Sequence, residues 1–212
     1  MASDQNRLRA QRTRIKVCGF TREDDVQAAV AAGVDAVGFV LYEKSPRFVT
    51  AERAADLAQH LPPFVSPVLL FVNASAETIA SALRALPHAL VQLHGDESPA
   101  FAAKLQRPYI KAARLPLDAA EHFDLPKFCA DFGDAQGILL DAKVESFGGS
   151  GLSFDWGRIP APFPHHLLLS AGLKPETVGA AVAQLASTAA SFAVDVSSGV
   201  ERAGSVGKDK EK

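Results

Sequence analysis

Residues 14–40 read RIKVCGFTREDDVQAAVAAGVDAVGFV, and the reading of this stretch decides the fold. Arg14 to Cys18 is a short strand-forming run that ends at Gly19. Thr21 and Asp24 have the spacing of a capping box, Val26 and Val30 share a helical face, and Gly33 stops the pattern. A second apolar run, AVGFVL, starts at Ala36. Strand, helix and strand in so short a span predict two parallel strands joined by a helical crossover, the repeating unit of an α/β fold.

The unit recurs. Further runs PVLLFV, ALVQL, YIKAA, GILLD, HLLLS and FAVDV begin at Pro67, Ala89, Tyr109, Gly137, His166 and Phe192. Thr50 precedes a stripe of Ala54, Leu57, Ala58 and Leu61, and Ser75 precedes Ile79, Ala82, Leu83 and Leu86. Ser98-Pro99 and Lys174-Pro175 each place a proline at a first helical position. Eight strands with helical connections predict a single-domain (β/α)8 TIM barrel over residues 14–212, after a flexible basic tail at 1–13. An open doubly wound sheet ranks second, because no GxGxxG follows the first strand and no strand reads as an edge. The irregular stretch from Leu115 to Gly133 predicts a fifth helix that is short or replaced by loop. After FAVDVSSGVE only RAGSVGKDKEK remains, which predicts a truncated final helix or another segment over that seam.

Composition narrows the class. The 212 residues are 48% hydrophobic, enough for a sizeable core without staples. A net charge of -2 gives no electrostatic reason to expect nucleic acid or an anionic membrane as partner. No apolar run approaches the ~20 residues that span a bilayer, and MASDQNRLRAQRTR has no apolar segment behind its arginines. Two cysteines, Cys18 and Cys129, far apart and in no metal-like spacing, suit a reducing cytoplasm. The expectation is a cytoplasmic protein without metal or cofactor, a monomer or weak homodimer acting on a small molecule.

Strand alternation sorts the polar residues. Lys16 and Cys18 oppose Ile15 and Val17; Gln92 and His94 oppose Val91 and Leu93; Asp141 opposes Ile138 and Leu140; Asp195 opposes Val194 and Val196. In a barrel this turns the polar set inward, mostly at the C-terminal strand ends where barrel enzymes place their chemistry. Burying each such group unpaired costs roughly 2–7 kcal/mol, so the pattern favours a site over an inert core. SAGLKP after the seventh strand and SSGVE after the eighth suit a phosphate, with glycines that let the backbone approach an anion. FGGSG after the sixth strand suits a mobile cover.

In order along the chain, KVCGFT, DAVGFVLYEKSPRFV, VQLHGDE, LLDA, FGGSG, LSAGLKPETV and AVDVSSGVE resemble the phosphoribosylanthranilate isomerase family of tryptophan biosynthesis, from about Arg14 to Glu201. The resemblance implies an Amadori rearrangement, the third step from chorismate. N-(5-phosphoribosyl)anthranilate becomes 1-(2-carboxyphenylamino)-1-deoxyribulose 5-phosphate, with no cofactor. It implies Cys18 as general base, Asp141 as general acid and Arg47 on the anthranilate carboxylate. Gln92, His94 and Asp195 would border the substrate, and Gly149, Gly172, Ser198 and Gly199 would hold the phosphate. The family has two glycines where this chain reads Ala171-Gly172, and a positive φ at Ala171 would be strained.

The chemistry suits these residue types. An acid protonates the ring oxygen, the ring opens to a protonated Schiff base, and the cationic nitrogen acidifies the neighbouring C–H enough for a thiolate to remove the proton. A free cysteine titrates near ~8.5, so Lys16 on the same face would favour the thiolate. Taken singly, a cysteine after a strand is more often core, an aspartate there is as often a helix cap, and an arginine is usually surface. Cys129 serves as the internal control. Lys111 on the fifth strand keeps a rival phosphosugar barrel, such as indoleglycerol-phosphate synthase, in view; a silent phosphometabolite-binding barrel is the rival outside enzymes.

Overall fold

The computed structural model describes residues 12–118, 120–144 and 152–208. Strands and helices alternate: β1 (Arg14–Cys18), α1 (Glu23–Ala31), β2 (Ala36–Val40), α2 (Ala51–Ala58), β3 (Ser66–Phe71), α3 (Ala76–Ala85), β4 (Leu90–Leu93) and α4 (Pro99–Lys104). They continue as β5 (Tyr109–Leu115), α5 (Leu125–Asp131), β6 (Gly137–Ala142), β7 (Leu167–Leu169), α6 (Val178–Thr188) and β8 (Phe192–Val196). All eight strands pair in parallel, in chain order, and β8 closes on β1. The register sets Lys16 beside Asp195 across the closing seam, and Cys18 beside Gly38.

Alternation divides the strand residues as the sequence predicts. Val17, Val91, Leu93, Ile138, Leu140 and Val194 pack outward among the helices. Ile110, Ala112, Leu139, Leu168 and Ala193 plug the barrel interior, and Cys18, Val40, Leu70 and Val72 lie together in a separate cluster. Each buried aliphatic side chain contributes about 1.5–3 kcal/mol, so this division fixes which face of every strand turns inward.

Helix starts follow local chemistry. Thr50, Ser75 and Ser98 cap α2, α3 and α4, accepting bonds from Arg53, Thr78 and Phe101 N–H groups at 3.2, 3.1 and 3.2 Å. Two expected starts are corrected. α1 begins at Glu23 with Arg22 as its uncapped first flank, and the carbonyl of Thr21 takes a bond from Arg53 instead (3.0 Å). Three acidic residues, Glu23, Asp24 and Asp25, stabilise that first turn by complementing the helix dipole. Lys174-Pro175 sits in a turn ahead of α6, which starts at Val178.

The fifth helix is short, as expected, at 7 residues. The sixth connection carries, among the described residues, only a single 3-10 turn at Trp156–Arg158, so α6 follows β7. After β8 comes a 3-10 turn, Ser198–Val200, and then an antiparallel bridge between Glu201 and Lys208. That segment lies over part of the β8–β1 seam: the Lys208 N–H donates to Asp25 Oδ2 (3.2 Å) and its ammonium sits 5.6 Å from the Phe20 ring. Beside it an apolar cleft of about 280 Å3 remains between α1 and α6, lined by Val17, Ala28, Ala32, Leu173, Val178 and Val194. Of the expected tail, Arg12 ion-pairs with Asp35; residues 1–11 lie outside the described residues.

Candidate active site

Cys18 ends β1 with its thiol turned inward and 5% of the residue exposed. The site depends on β2, because a Cβ on Gly38 would stand 2.6 Å from the sulfur. That glycine, in mid-strand, is the signal for a close approach which the sequence reading passed over. Lys16, below Cys18, is buried and donates to Asp195 Oδ1 at 2.8 Å. Burial works against the Lys16 ammonium, but Asp195 and the neighbouring thiol outweigh it and hold the lysine charged. For Cys18 burial wins: it pushes the thiol up, although Lys16 and Lys208 pull the other way. The expected help from Lys16 is therefore present and insufficient, because Asp195 neutralises the lysine and a buried thiolate lacks water.

Asp141 ends the inward face of β6, buried, with Oδ1 accepting the Ala142 N–H at 2.9 Å. His94 reaches it from β4, Nε2 to Oδ2, at 3.1 Å. Gln92 is fully buried and touches His94 Nδ1 at 2.9 Å, so it meets the site through His94 and not directly. Asp195 feels the charges of both His94 and Asp141, which links the β8 carboxylate to the β6 one.

The two expected anion loops meet beside that acid. A small cavity of about 30 Å3 is lined by Asp141, Asp195, Ala171, Gly172, Ser198 and Gly199 among others. A Cβ on Gly199 would lie 1.9 Å from the Leu173 carbonyl oxygen, so the loops after β7 and β8 approach this closely only with glycine there. Ala171 and Gly172 both take positive φ, 68° and 71°. The strain foreseen at Ala171 is thus real, roughly 1–2 kcal/mol for an L-residue in this region. Ser197 Oγ donates to the Cys18 carbonyl (3.0 Å), tying the last loop to the end of β1. Gly149 lies outside the described residues.

Arg47 is no ordinary surface arginine: its side chain is 12% exposed and its Nε and Nη2 donate to Glu201, both at 2.7 Å. Glu201 also accepts from Lys208 (2.9 Å), and the two cations hold its carboxyl below the usual range against the effect of burial. The bidentate grip fixes the guanidinium plane and leaves its remaining N–H groups for another carboxylate. Glu201 and Lys208 were missed as site residues; the acidic end of the SSGVE motif was the available signal. Lys111, which kept the rival barrel in view, faces the helices: it pairs with buried Glu97 (2.7 Å), donates to the Gly95 carbonyl (2.7 Å) and lies 5.5 Å from the Phe132 ring. Cys129 is buried on α5, away from these groups, and burial pushes its thiol up to about 11.

The family model described as N-(5'phosphoribosyl)anthranilate (PRA) isomerase matches residues 15–212. Over 190 residues the chain is 50% identical to N-(5'-phosphoribosyl)anthranilate isomerase of Dechloromonas aromatica, covering 90% of this chain and 88% of that one. The crystal structure of phosphoribosyl anthranilate isomerase from Thermotoga maritima superposes with a TM-score of 0.79 at 38% identity, covering 94% of each chain. A phosphoribosyl anthranilate isomerase in complex with reduced 1-(o-carboxyphenylamino)-1-deoxyribulose 5-phosphate gives 0.75 at 34% identity, covering 94% of this chain and 93% of that one.

Proposed function

The chain belongs to the N-(5'-phosphoribosyl)anthranilate isomerase family, its reaction is the isomerisation for which that family is named, and we propose that Cys18 and Asp141 carry it as general base and general acid. The observation that supports this reading best is the cavity where Asp141 faces the two glycine loops, with the inward thiol of Cys18 on β1. A sugar phosphate seated with its phosphate at Gly172, Ser198 and Gly199 presents its ring oxygen to Asp141. Ring opening then gives the protonated Schiff base, and Cys18 removes the proton from C2. Asp195, fixed by Lys16, borders the sugar hydroxyls, with His94 beside Asp141. Arg47, held by Glu201, takes the anthranilate carboxylate at the far end.

The experiment follows anthranilate fluorescence, which falls as the glycosylamine becomes the ketose. The wild-type protein and the Cys129→Ala variant should both give the fall. A barrel that only binds the metabolite would titrate without any decay, and that result would remove the function. As surroundings we infer the cytoplasm, since both thiols are free and buried. Among the described residues no helix is long and apolar enough to cross a membrane.

We further infer weak self-association. Phe64, in the loop before β3, is 100% exposed at φ 73°. It borders a cleft of about 320 Å3 at the N-terminal end of the strands, whose apolar side is Ile15, Val68, Leu90, Ile110, Leu168 and Ala193. A two-fold pairing would seat each ring in the partner's cleft, burying two aromatic side chains at about 1.5–3 kcal/mol each.

A further inference from the structure

Gln92, His94 and Asp141 form a buried chain running from β4 to β6, with successive polar contacts of 2.9 and 3.1 Å. One atom in it is out of balance. Gln92 Oε1 is buried and has no hydrogen-bond partner among the described residues, at a cost of roughly 1–3 kcal/mol if nothing ever uses it.

A primary amide is nearly symmetric in shape, so a half-turn exchanges its oxygen and nitrogen at little steric cost. In one orientation the amide N–H donates to Nδ1 of His94, and the ring proton on Nε2 is donated to the Asp141 carboxylate. In the other, Oε1 accepts a proton carried on Nδ1. This second orientation admits one more proton to the chain. It is held either as imidazolium beside carboxylate or as a carboxylic acid whose O–H donates to Nε2. The oxygen that is unpartnered in the first orientation is thus the acceptor for Nδ1–H in the second, where the amide N–H group gives up its partner in turn.

We propose that His94, backed by Gln92, holds the proton which Asp141 delivers to the ring oxygen, and that the Gln92 amide stands with Oε1 toward Nδ1 when the pair is loaded. The proposal rests on the reading of Asp141 as general acid. In ring opening the Asp141 O–H proton moves to the ring oxygen as the C1–O bond breaks. The anthranilate nitrogen lone pair forms the C=N bond; the O–H proton is the one passed from Nε2 to Asp141 beforehand, so the step leaves a neutral His94 beside a carboxylate. After Cys18 takes the C2 proton, ketonisation adds one proton at C1 and releases that of the C2 hydroxyl, which restores thiolate and loaded acid. His94 and Gln92 are positioning residues here, acting through Asp141.

The other charged groups around the pair are Cys18 and Lys16 from β1, Arg114 from β5 and Asp195 from β8. Lys16 and Asp195 neutralise each other at 2.8 Å, and Arg114 is turned toward Asp96 at 2.6 Å.

The test uses the full chain with 15N-labelled histidine, the His94 signals being assigned by their loss in His94→Gln. On lowering the pH from about 9 to about 5, Nδ1 of His94 should gain a proton, and Gln92→Met should shift that event. An Nδ1 that stays bare throughout would overturn the proposal. His94→Gln keeps a donor toward Asp141 but cannot carry a proton. Its kcat at pH 7 should fall roughly 10–100-fold with KM little changed. A wild-type kcat and pH profile in that variant would overturn the relay, as would a raised KM with kcat unchanged. Full turnover in Asp141→Asn would instead remove the underlying acid assignment, whatever His94 does.

Discussion

At the residue scale, two side chains sit against their own chemistry. Cys18, the base in the proposed reading, has its thiol raised by burial, so thiolate is scarce at neutral pH. The sign follows directly: a raised thiol pKa means that the thiolate fraction, read as the rate of Cys18 alkylation, climbs with pH and levels off only above the ordinary cysteine range of about 8.5–9. Lys16→Met should move that climb to still higher pH. It should also cost about 3–5 kcal/mol of stability, because Asp195 is left buried without its cation. An unmoved pH profile would remove Lys16 from the account. Ala171 is the second case. Its φ of 68° suits glycine, so Ala171→Gly should stabilise the fold by about 1 kcal/mol and raise the melting temperature by about 2–4 °C. Calorimetry showing a loss of stability would mean that the buried methyl outweighs the strain.

At the scale of elements, the strands were legible because each is an apolar run whose alternation needs no tertiary information. Ser and Thr caps at α2, α3 and α4 were legible for the same reason, being local. What was not legible is tertiary: α1 starts at Glu23 behind an uncapped Arg22 while the Thr21 carbonyl accepts from Arg53 of α2, and the connection after β6 holds, among the described residues, only a 3-10 turn. Arg47 could be placed in the site by resemblance, but its grip by Glu201 joins residues far apart in sequence. The same limit hid Gly38. Since a Cβ there would press on both the sulfur and the Cα of Cys18, at 2.6 and 3.1 Å, Gly38→Ala should displace the thiol. The expected outcome is a loss of kcat of about a hundredfold, with substrate affinity kept, since a base misplaced by ~1 Å loses that much. Steady-state kinetics with an unchanged kcat would show that β1 has slack there.

At the scale of the molecule, the barrel is a ring of eight parallel strands whose outer layer is incomplete at the β8–β1 seam among the described residues, and whose N-terminal end carries the exposed ring of Phe64. Sedimentation velocity at rising concentration should reveal a weak dimer that Phe64→Ser abolishes without loss of activity. Identical sedimentation of the two proteins would remove the pairing. Closure of the ring is what brings a thiol on β1 and a carboxyl on β6 to one mouth, and the account stands on those two groups working as a pair. The most direct measurement compares turnover, by anthranilate fluorescence, with equilibrium binding of the product ketose in Cys18→Ala and Asp141→Asn. Turnover should fall by about 10²–10⁴ in each, with product affinity retained. Either variant keeping wild-type turnover would contradict the account.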